Sequence, residues 1–493
     1  MLLDNIAPGA VVRRFRLDSR LRSGGYCRRF RKMRAASCGT RRSDWAAKTR
    51  RGRASDPNLY VALTVAVISL VCGAIPLCSV LACPTKEPAR MIDALEYGKF
   101  GDGDRDAHDS MMRQSFGTTA ERNAEIRGAT GTAEIRVLRR RGRTIAALTC
   151  LPCGQYFGGH SVPTGFIAGV AVEPDQRGRG RATELLRHVL LEARERGQAQ
   201  LILYATNYGV YRKVGFERAG SRLFYSAPTG VLASPPQRAA HFPVAHVQVP
   251  DPRSAGAAEL PVWQAIRSVY RRFAEAEAGL LDRSLYFWGE KFAPLRKPVD
   301  VHFIGDPAKP EGYIAIHHER ADTLKILDWA ATSGSAVAAL LGHLAGYRAN
   351  WPRFQWYGGP SDLLGMSLPE RGWQIDLAED WMTRLTDVGT ALLARGYPAR
   401  LTARLSLEVN DPIVPANAGR YVLTVAGGRA MLDDTIRDAP SIALDVGALA
   451  ALYTGHAPAR LLARAGRIEG SLDAFEIAES IFSGPRPWML DIF

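Results

Sequence analysis

The spacing of apolar and polar residues predicts a mixed α/β domain between residues 91 and 230. Within residues 182–196 the apolar side chains recur at helical spacing, and Gly197 follows as a typical helix stop. Residues 107–122 also predict a helix. Strands are predicted from apolar or alternating runs at residues 134–138, 145–150, 166–172 and 201–205. An arginine-rich turn joins the first two of these strands.

Two further units are predicted after a linker. Residues 228–252 are rich in Pro, Ala and Ser, a composition typical of linkers. Beyond them, helices at 257–278 and 335–348 and strands at 299–304 and 312–318 predict a second α/β unit. The pattern changes again at residue 384. From there strands are predicted at residues 401–409, 419–425, 428–432 and 442–444, followed by a helix at 446–453.

The N-terminal 90 residues differ from the rest of the chain. Residues 1–58 are rich in arginine and lack periodicity, which predicts disorder. Residues 59–83 are apolar and uncharged over 25 positions, long enough to span a bilayer. Three interpretations stay open: a membrane anchor, an export signal, or residues outside the working protein. Because Met91 stands just before the first globular-looking sequence, we expect residues 1–90 to be a dispensable extension.

Charge and cysteine usage narrow the function classes. The formal net charge is +15, but residues 1–58 carry +12 of it, so the globular part is nearly neutral and no nucleic-acid partner is expected. All seven cysteines occur at or before Cys153, which suits a reducing compartment. The pair Cys150 and Cys153 has CxxC spacing but ends a strand-like run, which argues against a redox motif. We also expect no metal site, since His317-His318-Glu319 lacks a third ligand at helical spacing.

The loop at residues 177–182 carries the first candidate chemistry. It lies between a predicted strand and a predicted helix, and its glycines let backbone amides approach a pyrophosphate at the helix N-terminus. Arg177, Arg179 and Arg181 can add positive charge. The loop is not a Walker motif and lacks the third glycine of a dinucleotide fingerprint. On these residues alone, a simple surface turn remains an alternative.

The flanking segments change this picture. The strand Val170-Ala171-Val172-Glu173-Pro174, the loop, and the downstream Tyr211-Arg212-Lys213-Val214-Gly215-Phe216 together resemble the GNAT family of acetyl-CoA-dependent N-acetyltransferases. Several segments are similar, more narrowly, to the enhanced intracellular survival (Eis) acetyltransferases. These are Val162-Pro163-Thr164-Gly165, Gly209-Val210, Tyr270-Arg271-Arg272-Phe273, Gly279-Leu280-Leu281-Asp282-Arg283-Ser284 and Trp381-Met382-Thr383-Arg384-Leu385.

The resemblance implies an α/β (α+β) fold with three domains. Residues 91–230 are expected to form a GNAT domain that binds acetyl-CoA, and residues 231–383 a second GNAT-like mixed-sheet domain. Residues 384–493 are expected to resemble sterol carrier proteins. The family also implies a homo-hexamer. Since acetyl-CoA is a cytoplasmic donor, we expect a cytoplasmic enzyme, with membrane anchoring through residues 59–83 as the alternative.

The resemblance also implies the site residues. Acetyl-CoA contacts are expected from Val170, Ala171, Val172, Arg177, Gly178, Arg179, Gly180, Arg181, Ala182, Thr183, Thr206 and Asn207. Tyr211 is implied as the general acid, and the α-carboxylate of Phe493 as the general base. A carboxylate is already ionised at neutral pH and can accept the amine's proton, while a phenol can protonate the thiolate leaving group. Without the family resemblance, Tyr211 would be interpreted as a buried aromatic residue of the core, and Phe493 as an apolar residue that fills a gap.

Two departures from the family bear on the acceptor. Family members often have an acidic residue before the terminal Phe, where this chain has Ile492, and Asp491 is expected to face the other way in an extended tail. Gly178 interrupts the arginine run of the loop. The implied acceptors are aminoglycosides, as small-molecule amines, or protein lysine side chains. The competing hypothesis is a non-catalytic protein that binds an apolar ligand in the sterol-carrier-like domain.

Overall fold

The computed structural model describes residues 94–232, 242–294, 297–319, 322–368 and 372–492. The segments predicted to be disordered or membrane-spanning, residues 1–58 and 59–83, lie outside these ranges, and so does Phe493. Within the described ranges, no helix combines the length and apolar character needed to cross a membrane.

The first domain alternates strands and helices as predicted. Its elements are β1 (Leu95–Lys99), α1 (Arg105–Phe116), α2 (Ala120–Thr130), β2 (Ile135–Arg140), β3 (Arg143–Phe157), β4 (His160–Val172), α3 (Arg181–Glu195), β5 (Gln200–Tyr204), α4 (Tyr208–Arg212) and β6 (Glu217–Pro228). The single helix predicted at residues 107–122 is wrong. Gly117 takes a left-handed φ of 70° that ends α1, and the Thr119 hydroxyl then caps α2 by accepting the Arg122 amide.

The second unit contains β7 (Val244–Val247), α5 (Pro261–Glu275), β8 (Leu281–Asp282), α6 (Leu285–Phe292), β9 (Asp300–Ile304), β10 (Gly312–Glu319), β11 (Thr323–Ala331), α7 (Gly334–Ala345), β12 (Arg353–Gly358), α8 (Leu363–Ser367) and β13 (Gln374–Leu385). The predicted linker at residues 228–252 is wrong in part, since β7 lies within it and pairs with β9. β7 is only four residues long and carries the exposed His246, which fits an edge strand despite the surrounding prolines.

The strands of both units join one continuous sheet. Its order is β1-β2-β3-β4-β5-β13-β6-β12-β11-β10-β9-β7, with β8 paired to β3. The join is made by β13, which lies between β5 and β6 of the first domain. The boundary predicted at residue 384 therefore falls near the end of a strand that belongs to this sheet.

The third domain has its own five-stranded sheet, ordered β16-β15-β14-β17-β18. Its elements are α9 (Val388–Ala394), β14 (Ala403–Asn410), β15 (Gly419–Ala426), β16 (Arg429–Leu432), β17 (Ser441–Asp445), α10 (Val446–Tyr453), α11 (Ala459–Arg464), β18 (Ile468–Gly470) and α12 (Leu472–Ile481). Every residue of α10 is buried. The Tyr453 ring at its end packs against Phe157 of β3 with centroids 5.6 Å apart, so its apolar surface is used to dock the first domain.

Candidate active site

The loop between β4 and α3 is shaped by two glycines and two arginines. Gly178 and Gly180 have φ values of 74° and 75°, a left-handed conformation that favours glycine. The Arg177 guanidinium donates to the Val172 carbonyl at 3.1 Å, and that of Arg179 donates to the Asp175 carbonyl at 3.2 Å. The interruption of the arginine run by Gly178 is therefore explained by backbone geometry.

The start of α3 offers a set of unused donors. Within the described chain, the amides of residues 178–183 donate no hydrogen bond, and the first amide of this region to do so is that of Glu184, to the Gly180 carbonyl. A Cβ placed on Gly178 or Gly180 would meet open space. Amides at the positive end of a 15-residue helix attract phosphate oxygens. The buried Nε of Arg181, unpaired among the described residues, adds a further donor. The residues present fit a pyrophosphate.

The strand β4 provides an open edge beside this loop. It pairs in parallel with β5 only from Thr164 to Phe166, and then leaves it. Ala171 pairs with Ala147 of β3, and the Glu173 amide donates to the Ile145 carbonyl at 2.9 Å, so these amides face β3. By strand alternation, the amide of Val172 faces the opposite, open edge, and Val170 lies beside it at the register shift. That edge can hydrogen-bond the amide groups of a pantetheine arm.

Tyr211 lies on α4, directly after the strand that diverges from β4. Its side chain is 8% exposed and packs edge-on against Phe216, with ring centroids 6.0 Å apart. Burial raises the pKa of Tyr211 to about 12, so the phenol keeps its proton at neutral pH. Within the described chain its hydroxyl makes no hydrogen bond. The group is therefore a protonated donor without a competing acceptor.

Thr206 and Asn207 occupy the short connection between β5 and α4. Both are exposed. The Asn207 side-chain oxygen accepts the Gly209 amide at 2.9 Å and so caps α4. This cap fixes the start of the helix that carries Tyr211. Contact of these two residues with acetyl-CoA remains a prediction.

A largely apolar pocket lies on the other side of β4. Ala168 and Gly169 of β4 form one wall, and Gly169 has a left-handed φ of 57° where the pairing with β3 shifts register. The helices α1 and α2 form a second wall, and Tyr286 and Glu290 of α6 close it. The pocket therefore begins directly before the strand segment predicted to bind the donor.

The C-terminal tail runs between the two α/β units. Ser221 of β6 forms a parallel bridge with Trp488, whose backbone amide donates to the Ala278 carbonyl at 2.9 Å. The Trp488 indole donates to Glu277 at 2.9 Å. Further along, the Tyr204 hydroxyl donates to the Asp491 carbonyl at 3.0 Å. The tail is thus held by β5 and β6 on one side and by the second unit on the other.

A buried ionic network anchors the end of the tail. The carboxylate of Asp491 lies 3.0 Å from the Arg283 guanidinium, which also forms a two-pronged pair with Asp328 at 2.8 and 2.9 Å. Lys291 donates to the Leu490 carbonyl at 2.8 Å. Burial lowers the pKa of Lys291 to about 8. Burial also opposes the charge of Arg283, but Asp328 and Asp491 outweigh it and hold the Arg283 pKa above its ordinary value.

The side chains of Asp491 and Ile492 point to opposite sides of the tail, as predicted. Asp491 faces Arg283, whereas Ile492 lines a groove that also contains Glu290, a residue of the apolar pocket. The anchoring roles of Arg283, Asp328 and Asp491 were not predicted. A signal was present in the sequence for Asp328, which stands between Leu327 and Trp329, because a charge within an apolar run is buried only when it is paired.

The CxxC pair and the His317-His318-Glu319 segment show no geometry of a redox or metal site. Cys150 and Cys153 are free thiols on β3, and burial raises the pKa of Cys150 to about 12, which disfavours the reactive thiolate. His318 lies at the end of β10, as predicted, with its Nε2 3.0 Å from Asp300. The described residues contain no group of three or more His, Cys, Asp or Glu suited to a metal ion.

Comparisons with known proteins agree with this architecture. Residues 96–219 and 279–385 each match a family described as an acetyltransferase (GNAT) domain, and residues 388–490 match a sterol carrier protein domain. An N-acetyltransferase of Streptomyces avermitilis is 29% identical over 379 residues, which cover 71% of this chain and 86% of that protein.

Solved structures extend the likeness. The crystal structure of a GCN5-related N-acetyltransferase from Anabaena variabilis is 30% identical, with a TM-score of 0.75, and covers 81% of this chain and 100% of its own. Eis1 from Mycobacterium abscessus, at 22% identity, shares the fold with a TM-score of 0.63 over 81% of this chain and 100% of its own. The chain belongs to the GCN5-related N-acetyltransferases, acyltransferase enzymes, and has the Eis-like arrangement of two GNAT domains and a sterol-carrier-protein-like domain.

Proposed function

We propose that this enzyme transfers an acetyl group from acetyl-CoA to a primary amine. The observation that carries the proposal is the continuous set of unused donors formed by the residue 178–183 amides and the open edge of β4. Acetyl-CoA supplies an acetyl group activated as a thioester. Amides of the loop bind the pyrophosphate, and those of Val170 and Val172 hold the pantetheine arm.

Tyr211 is the proposed general acid. Its raised pKa keeps the phenol protonated, and its hydroxyl has no partner among the described residues. A phenol that keeps its proton can donate a hydrogen bond to the sulfur as negative charge develops there, and this stabilises the leaving group in the transition state. Donation by Tyr211 to the leaving sulfur makes expulsion of the thiolate easier.

The α-carboxylate of Phe493 is the proposed general base, as the family resemblance implies. Phe493 itself lies outside the described residues. Support comes from the residues just before it, since Leu490 and Asp491 are held by Lys291 and Arg283 and Ile492 lines the groove shared with Glu290. A carboxylate delivered there can take the proton that the amine must lose before it attacks.

The acceptor classes proposed from the family are aminoglycosides and protein lysine side chains, and the proposed assembly is a homo-hexamer. The alternative of an apolar-ligand carrier is less well supported. The fully buried α10 uses the apolar surface of the third domain for packing against the first.

The test is an acetyl-transfer assay on the full chain with its native C-terminus. Thiol release from acetyl-CoA is followed with a panel of amines, for the native protein and for a variant that lacks Phe493. We expect turnover of at least one amine by the native protein and a loss of about 100-fold or more in the variant. Equal turnover by both proteins would refute the role of Phe493, and acetyl-CoA binding without turnover of any amine would refute the proposed function.

A further inference from the structure

The helix that carries Tyr211 is too short to fix its own position. α4 spans five residues, Tyr208–Arg212. A helix of this length closes only about one or two of its own backbone hydrogen bonds, so its placement depends on the contacts at its two ends. The chain turns sharply after the helix at Gly215, where φ is 85°. In this turn the amides of Val214 and Phe216 donate to the Tyr211 carbonyl at 3.0 and 3.2 Å.

The third domain packs directly against this turn. A Cβ added at Gly215 would stand 2.8 Å from Cγ1 of Val446, the first residue of α10, and 2.7 Å from Nε of Arg384. That Nε donates to the Val214 carbonyl at 2.8 Å. The guanidinium also pairs with Asp411 of the third domain through hydrogen bonds of 2.8 and 2.7 Å, and both side chains are buried. The turn is therefore held between β13 and the third domain.

A second contact joins the third domain to α4 itself, through the carboxylate of Glu217. Arg212, the last residue of α4, forms a two-pronged pair with this carboxylate at 3.1 and 2.6 Å. Arg467, which lies between α11 and β18, donates to it at 2.9 Å and also lies 3.3 Å from Asp445. Burial opposes the charge of Glu217, but hydrogen bonds from the two arginines outweigh it and lower the Glu217 pKa to about 2. The carboxylate therefore stays ionised at neutral pH and links α4 to the third domain.

Resting on the proposed function, we infer that the third domain positions the Tyr211 hydroxyl for its role as general acid, with Arg467 and Asp411 as positioning residues. Asp411 acts on the turn through Arg384, and Arg467 acts on the end of α4 through Glu217.

The surroundings of the phenol make this support necessary. The Tyr211 ring packs edge-on against Phe216, and burial is the one cause of its raised pKa, with no hydrogen bond contributing. The direction of the hydroxyl is therefore set by packing and by the placement of α4. A displacement of about 1 Å at a reacting group can cost up to about 100-fold in rate. The third domain thus has a role in the reaction besides carrying the C-terminal tail.

The test cuts the exposed link and spares the buried one. Arg467→Met removes the contact with Glu217, and because the Arg467 side chain is 34% exposed we expect the variant to fold. Arg460→Met is the matched control. It also removes an arginine that pairs with two carboxylates of the third domain, but these belong to Glu476 and Glu479 on α12.

Thiol release from acetyl-CoA and the Kd for acetyl-CoA are measured on the full chain. We expect R467M to lower kcat about tenfold with an unchanged Kd, because the loop before α3 is not part of these contacts. The control should change neither. Arg467→Lys keeps a charged contact with Glu217 and should recover most of kcat. If R467M does not fold, Arg467→Gln removes the same charge with a polar side chain. Unchanged kcat in a folded variant, or an equal loss in the control, overturns the inference.

A double variant tests whether the effect passes through Tyr211. In the Tyr211→Phe background no phenol remains to be positioned, so R467M should cause no further loss of kcat. A further tenfold loss would show that Arg467 acts elsewhere and overturns the inference. Unchanged kcat in Tyr211→Phe alone refutes the proposed acid, and the inference with it.

The position of the phenol can also be followed without turnover. In protein labelled with 3-fluorotyrosine, the fluorine signal of Tyr211 is assigned by its loss in Tyr211→Phe. We expect R467M to shift this signal and Arg460→Met to leave it in place. An unshifted signal in R467M overturns the inference. A shifted signal in a protein that binds acetyl-CoA but acetylates no amine supports the positioning by the third domain and refutes the proposed function.

Discussion

The first and second α/β units each contain a parallel strand pair that separates after three residues. In the first unit, Thr164–Phe166 of β4 pairs with β5 before the strands diverge. In the second, Thr323–Lys325 of β11 pairs with β12 before the same separation. A helix follows the longer strand in both units, α3 in one and α7 in the other. The backbone plan is therefore repeated.

The helix starts differ in a way that decides which opening can hold a phosphate. Only Thr332 and Ser333 separate β11 from α7, and the Ser333 hydroxyl accepts the Ala336 amide at 3.1 Å while donating to the Glu311 carboxylate at 2.6 Å. One amide is thus satisfied, and a negative charge lies at the helix N-terminus. A phosphate would be repelled there, whereas the glycine loop before α3 leaves six amides unused.

The second opening serves the tail instead. Beyond its paired segment, β11 carries Asp328, which holds Arg283 and through it Asp491. Two strands that diverge therefore create an opening, but this opening alone does not make a binding site for the acetyl donor. In the first unit the loop leaves amides free for the proposed binding of acetyl-CoA, and in the second unit the buried ion pairs hold the C-terminal tail.

The largest expected effect comes from breaking the support in the second unit. Arg283→Met leaves Asp328 and Asp491 buried without their guanidinium partner, which we expect to cost about 3–5 kcal/mol in the free energy of unfolding. Urea denaturation measures this. The control is Arg460→Met, which removes the exposed pairs with Glu476 and Glu479 and should change stability little. Similar losses in both variants would contradict the anchoring role.

The next effect concerns Tyr211 in the first unit. Tyr211→Phe keeps the packing against Phe216 but removes the proton donor, so kcat should fall about 100-fold while the Kd for acetyl-CoA changes little. Because the folded pKa is about 12, no loss of activity from ionisation of Tyr211 is expected below about pH 11. Tyr208→Phe, on the same helix, is the control and should retain kcat. Unchanged kcat in the Tyr211 variant would remove it from the mechanism.

A smaller effect is expected when the loop before α3 is altered. Gly180→Ala strains a left-handed position and places a methyl group before the unused amides, so the Kd for acetyl-CoA should rise about tenfold. Gly197→Ala is a matched control at the other end of α3, with a φ of 73° and open space around it. It should cost similar stability without changing the Kd. If the Kd for acetyl-CoA changed equally in both variants, backbone strain in α3 would explain the change without any role for the loop amides.

The sequence predicted the local elements of the candidate site better than the contacts made in the tertiary fold. The β4–loop–α3 succession is local, so helical spacing and the flanking apolar runs predicted its strand, loop and helix. The assignment of that loop to acetyl-CoA came from the family resemblance and stays a prediction. The break at Gly117 was missed because a helical pattern continues across it. The network of Arg283, Asp328 and Asp491 joins residues that are far apart in sequence, so its pairing depends on the tertiary fold. The position of β13 between β5 and β6 is non-local for the same reason.

The last effect is a pH dependence of the tail support, which is small when it is measured over a single pH unit. Burial lowers the pKa of Lys291 from 10.5 to about 8 in the folded protein, so between these values the unfolded chain binds one more proton than the folded one. By linkage, this group makes stability rise with pH from about 8 to 10.5, by at most about 1.4 kcal/mol per pH unit. Lys291→Met abolishes that contribution. The difference in free energy of unfolding, native minus variant, should therefore increase between pH 8 and 10 in urea titrations. A constant difference over that range would show that the ammonium group stays charged beside Asp491, and that the second opening holds the tail as a fully ionised network.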